Sequence, residues 1–202
     1  MRFEMEDLSA AQRYRLLTSS VTPRPIAWVT TIDKHGLRNA APFSSFNMMG
    51  ATPPILALGL QSRPDGTAKD TLANMAVTGE LVVNLVGLND AEAMNETARD
   101  FAPPIDELSQ CNIDWRPSDC VGPPRIASAP VSFECRVAQL IEMGPDLTIV
   151  LAQVLVMHVA DRVVVDADRG HLDTLAMQLI GRMQGPGWYV QCTDVMQVMP
   201  PV

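Results

Sequence analysis

Hydrophobic and polar positions alternate most clearly in the C-terminal half of the chain, where Val131, Phe133, Cys135 and Val137 take every second place. Successive side chains of a strand point to opposite faces, so this spacing predicts a strand from Val131 to Met143 with one covered face. A second apolar run, Leu147 to Ala160, follows the turn signal Gly144-Pro145-Asp146. It is too short to cross a bilayer and contains Gln153 and His158, so it reads as a buried strand.

The N-terminal half is more punctuated. Ser9-Ala10-Ala11-Gln12 has the pattern of a capping box opening a helix to about Thr18. Pro23 and Pro25 force extended backbone, and the β-branched stretch Ile26 to Thr31 predicts a strand. The turn Asp33-Lys34-His35-Gly36 joins it to a hairpin partner, Leu37 to Phe43, and Ile55 to Leu60 gives a third strand. Asp70 or Thr71 caps a helix to about Thr78, with Gly79 as its stop, and Glu80 to Leu85 is a further strand.

A helix from Asn89 or Asp90 to Ala98 follows, then a proline-bearing segment, Ala102 to Pro130, with a short helix near Ile105 to Cys111. Its Ile113, Trp115, Val121 and Ile126 need covering, so it is a packed excursion and not a linker. Arg162 to Val165 continues the strand pattern, and Asp173 to Ile180 is a candidate helix. Strands without βα alternation predict a mainly β, antiparallel barrel with peripheral helices.

Composition narrows the functional classes. With 202 residues, 47% of them hydrophobic, the chain supports one domain, residues 1–202. A net charge of -8 opposes nucleic acid and anionic membranes as partners. The acidic N-terminus, Met1-Arg2-Phe3-Glu4-Met5-Glu6-Asp7, lacks the basic and apolar run of an export signal, so a soluble, cytoplasmic protein is expected. Cys111, Cys120, Cys135 and Cys192 form no Cys-x-x-Cys pair and read as reduced structural thiols, while His35, His158 and His171 lack zinc-ligand spacing. No metal is expected.

Chemistry concentrates between Thr22 and Asn84. Three loop signatures stand there: Thr22-Pro23-Arg24-Pro25-Ile26-Ala27-Trp28-Val29-Thr30-Thr31, Ala41-Pro42-Phe43-Ser44-Ser45-Phe46-Asn47, and Ser62-Arg63-Pro64-Asp65-Gly66-Thr67-Ala68-Lys69-Asp70-Thr71. Each sets hydroxyl or amide side chains beside an aromatic or a cation. That mixture suits a flat, polar-edged ligand carrying a phosphate, and points to FMN. Only Lys34 and Lys69 are lysines among 15 basic residues, which singles out Lys69.

These signatures, together with Gly79-Glu80-Leu81-Val82-Val83-Asn84, Glu92-Ala93-Met94-Asn95, Pro123-Pro124-Arg125-Ile126 and Ile180-Gly181-Arg182, resemble the flavin reductase-like family, in particular its flavoredoxin-type branch. The resemblance covers nearly the whole chain. It implies a six-stranded antiparallel split barrel binding FMN at the interface of a homodimer. Thr67-Ala68-Lys69 departs from the family's proline before the lysine, and Met183-Gln184-Gly185 from its usual glycine pair.

Arg63 and Lys69 are expected to meet the phosphate, aided by the Thr71 hydroxyl and the backbone amides opening the helix at Asp70, with Ser62 beside them. Ser44, Ser45 and Asn47 would serve the ribityl chain or ring edge, with Phe46 packing nearby. The resemblance also sets Arg24, Pro25 and Ala27 along the flavin, and Arg182 and Tyr189 where the family's C-terminal segment approaches the flavin or the other subunit. No catalytic side chain is expected, because an NAD(P)H-dependent flavin reductase moves a hydride between its cofactors. Without a Gly-x-Gly-x-x-Gly after a strand, NADH or NADPH would bind transiently over the flavin. Two other readings stay open: an FMN electron carrier serving protein partners, and a flavoenzyme acting directly on an organic or metal-containing substrate. A monooxygenase or electron-transfer protein would be the partner for reduced flavin.

Overall fold

The computed structural model describes residues 1–101 and 104–199. The expected domain, 1–202, and the excursion opening at Ala102 therefore each include residues outside the described ones. Helix α1 (Ala10–Ser20) begins with the anticipated capping box, in which Ser9 and Gln12 satisfy each other's backbone amides. Strands β1 (Ala27–Ile32), β2 (Arg38–Phe43), β3 (Phe46–Ala51) and β4 (Pro54–Gln61) lead to helix α2 (Asp70–Thr78) and β5 (Glu80–Leu85). Short helices α3 (Ala91–Glu96) and α4 (Glu107–Gln110) and a small hairpin, β6 (Trp115–Arg116) with β7 (Arg125–Ile126), follow.

The long strands β8 (Val131–Glu142) and β9 (Leu147–Val159) pair with each other as the alternation predicts. Short pairs β10 (Val164–Asp166) with β11 (His171–Leu172), and β12 (Ile180–Arg182) with β13 (Tyr189–Gln191), complete the described fold.

The main sheet is antiparallel throughout, in the order β2-β1-β5-β8-β9-β4-β3. It has seven strands where the resemblance implies six. β3 is the strand that the pattern did not announce, since Asn47, Met48, Met49 and Gly50 carry neither β-branched content nor clean alternation.

The sheet curls around one apolar cluster, in which Ala27, Val29, Leu58, Leu60, Leu81, Val83 and Cys135 are under 2% exposed. Burial pushes the Cys135 thiol up to about 12, and all four cysteines are free thiols, Cys135 inert in the core. A second cluster, with Trp28, Ala40, Val86, Met94, Leu108 and Ile126, lies between the opposite face and the excursion. Asn84 fastens that layer: its amide donates to the Trp28 carbonyl (2.9 Å) and accepts from the Ile126 amide (3.0 Å) and the Ser132 hydroxyl (2.7 Å).

One expected helix is absent. Residues 174–178 form successive turns, which end where Gln178 takes a positive φ of 51°. Leu179 and Ile180 are then drawn into bridges with Gly87 and with Gln191 of β13, so strand-like pairing overrides local helical preference.

Candidate functional site

The loop from Arg63 to Lys69 is shaped by its own residues. Pro64-Asp65-Gly66 makes a tight turn in which the Gly66 amide donates to the Arg63 carbonyl (2.9 Å) and Gly66 takes φ 83°. The Asp65 carboxylate accepts from the Thr67 hydroxyl and amide, and these bonds hold its pKa below the usual value. The Arg63 guanidinium reaches across the loop to the Ala68 carbonyl and to the Asp70 carboxylate, the latter at 2.8 Å. The arch so formed delivers Lys69 to the start of α2.

This geometry corrects one expectation. Lys69 is the residue flanking α2, Asp70 is its first helical residue, and no side chain caps it. The Asp70 carboxylate is drawn instead to Arg63. Arg63 is thereby partly neutralised, whereas Lys69 has no ion-pair partner among the described residues. Of the two, Lys69 is the uncompensated cation, set at the positive end of a helix.

Lys69, Arg63, Asp70 and Thr71 line one recess with Asn39, Phe43 and Glu107. Glu107 and Asn39 are the residues that sequence reasoning missed. Glu107 lies on α4 yet is only 7% exposed, and its carboxylate accepts from the Ala40 amide at 2.6 Å. The Asn39 amide, with its nitrogen turned toward Glu107, donates across 3.3 Å and accepts from the Thr71 hydroxyl at 3.0 Å. Burial pushes the Glu107 carboxyl up to about 7, with Asp70 and Asp106 adding to the rise and the Ala40 amide opposing it. Nothing local marks these two residues, since an acid opening a short helix and an Asn in a strand are both ordinary.

A second recess adjoins the first, sharing Pro42, Phe43 and Ala98. Tyr14, Ser44, Arg182 and Tyr189 line it. The Arg182 guanidinium stacks 4.7 Å from the centroid of the Tyr189 ring, its cross-strand partner, and donates to the Gly185 carbonyl (3.2 Å). The two recesses form a trough with a cation and a helix start at one end and aromatic rings at the other. Such a donor set fits a flavin mononucleotide in chemistry: charge for a phosphate, hydroxyls for a polyol, and ring faces for an aromatic system.

The other sequence-predicted residues lie elsewhere. Arg24 is a clasp: its guanidinium donates to the carbonyls of Thr18, Val21 and Met183 and to the Ser44 hydroxyl. Arg24 and Pro25 border a separate apolar cavity with Leu85, Val86 and Ile180, and Ala27 is fully buried in the core. Ser45 precedes the edge strand β3, which Phe46 and Asn47 open; Phe46 packs on the core and the Asn47 side chain accepts from the Met48 amide. Ser62 bonds to the Pro145-Asp146 turn. Among the described residues, one histidine cluster appears that spacing could not reveal: His158 Nε2 lies 2.6 Å from Glu134 Oε1 and 3.9 Å from Asp119.

The family model of the flavin reductase like domain matches residues 19–175. The chain belongs to that family. Among solved structures, the Pseudomonas fluorescens 2-nitrobenzoate 2-nitroreductase NbaA is 33% identical, with a TM-score of 0.90 over 100% of this chain and 96% of that one. Nitrilotriacetate monooxygenase component B from Bacillus cereus is 28% identical, with a TM-score of 0.92 over 98% of each chain. A Shewanella frigidimarina protein with a split barrel domain, 19% identical, superposes with a TM-score of 0.84 over 100% of both chains. The flavin reductase-like fold of this chain is thus a mainly β, antiparallel split barrel.

Proposed function

We propose that this flavin oxidoreductase holds FMN in the trough and reduces it with NADH or NADPH. The observation that carries this reading is Lys69, uncompensated at the start of α2 and open to a recess continuous with an aromatic one. Lys69 and Arg63 bind the phosphate, and the amides opening α2 add donors. Ser44 and Tyr189 line the far end. FMN supplies hydride acceptance at N5, and the chain contributes orientation and charge complementarity. No side-chain acid is required.

Homodimer formation completes the proposal. Asn47, Ser45 and Ser62 lie outside the trough of their own chain, so in this reading they serve the partner's flavin. Met48, Met49, Leu155 and Met157 are exposed on the β3 and β9 strands and offer the apolar surface for such an interface. The kinship with a monooxygenase component suggests an oxygenase as consumer of reduced flavin.

Aerobic oxidation of NADH and NADPH with added FMN tests the activity. Turnover that rises and saturates with FMN supports a reductase, and no turnover with either nucleotide contradicts it. A second reading, direct reduction of an organic substrate by bound flavin, is favoured by the similarity to a nitroreductase. Turnover that depends on a nitroaromatic acceptor, with FMN alone inactive, would select it.

A further inference from the structure

Far from the trough, the fold builds a second concentration of cations. Cross-strand partners run from Pro42 through Trp28, Asn84 and Ser132 to His158. Those four strand spacings amount to roughly 19 Å along the sheet. At the His158 end lies a cavity of about 390 Å³, larger than either recess of the trough. Arg116, Arg125, Arg162, His158 and Ser132 line it, with Asp161 as the opposing charge.

Three arginines on one cavity are notable in a chain of net charge -8. Two of them, Arg116 and Arg125, sit directly opposite each other across the β6–β7 hairpin. Like charges in that position destabilise a strand pair, so the arrangement works against the hairpin unless an anion offsets it. None of the three has a carboxylate within 4.0 Å among the described residues.

The cavity also has a fixed wall. The Arg125 guanidinium is held by the Pro117 carbonyl through two bonds (3.2 and 3.1 Å). His158 is held from behind by the buried Glu134, whose carboxylate is itself anchored by the Asp119 and Cys120 amides (2.7 Å each). Burial pushes the Glu134 carboxyl up, but those amides and His158 outweigh it and keep its pKa below the ordinary value. A fork of guanidinium donors beside a positioned imidazole matches the geometry of an oxyanion with several acceptor atoms.

We propose that this cavity is a second anion site, separate from the flavin trough, that takes a phosphate group, either free or carried on a nucleotide. Calorimetric titration with inorganic phosphate in a phosphate-free buffer tests it, using protein already saturated with FMN so that the trough is filled. The expected result is one saturable site per chain that weakens with salt. In the double variant Arg116→Gln/Arg162→Gln, whose two side chains are exposed, binding falls at least about tenfold while the circular dichroism spectrum is unchanged.

No saturable binding at millimolar phosphate, or equal binding in the double variant, overturns the proposal. Titrations with NADH and NADPH distinguish the two sources. If the double variant weakens a nucleotide as well as phosphate, the anion is carried on the nucleotide; if it weakens phosphate alone, the site serves the free ion.

Discussion

At the scale of single residues, the Glu107 carboxyl decides how stability responds to pH. Its folded pKa of about 7 stands above the ordinary value of 4.5 because it is buried beside Asn39 without a cation bonded to it. A raised carboxyl pKa means that its contribution to stability is complete below about pH 4.5 and is lost as pH rises through 7. Glu107→Gln keeps an acceptor for the Ala40 amide but cannot ionise. Thermal melts should therefore show the variant above wild type at pH 8, by on the order of 2–3 kcal/mol, with the gap closing near pH 5. A constant gap across that range would assign the ionisation elsewhere.

Residue by residue, the grouping of Arg63, Lys69 and Thr71 on one recess was legible and its support was not. Arg63, Lys69 and Thr71 are contiguous in sequence with a proline-glycine turn and a helix start, so local chemistry brought them together. Asp70 went astray because its pairing with Arg63 is a contact across the loop, which outcompetes capping. Glu107 and Asn39 meet only through the packing of α4 on β2, which no short-range pattern encodes.

Among the elements, β8 and β9 were readable because each is long and carries a turn signal between them. The face opposite the core was harder: Ser132 and Glu134 look like solvent-side positions in the alternation, yet both are buried under the excursion. Asn84 joins those layers. Asn84→Ala would leave the Ile126 amide and the Ser132 hydroxyl without their acceptor in a dry interface. Each such group costs about 1–3 kcal/mol, so urea denaturation should show a loss of at least about 2 kcal/mol. A loss under about 0.5 kcal/mol would mean the excursion is held by its apolar contacts alone.

For the molecule as a whole, the split barrel followed from strand content and from the order of motifs, while assembly rests on surface. Exposed methionines on β3 and β9 predict a dimer, and light scattering should return twice the chain mass of 22.0 kDa. A monomer that still binds FMN would place Ser45, Asn47 and Ser62 outside any flavin site.

The central claim is that a flavin phosphate sits at Lys69, and paired equilibrium titrations of FMN and riboflavin address it most directly. Wild-type protein should bind FMN at about one per chain and more tightly than riboflavin, which lacks the phosphate. Lys69→Ala removes a charge-assisted contact, a class contributing roughly 1.5–3 kcal/mol, so FMN should weaken about tenfold or more while riboflavin is unchanged. Equal losses for both ligands, or no FMN binding at micromolar concentrations, would contradict the account.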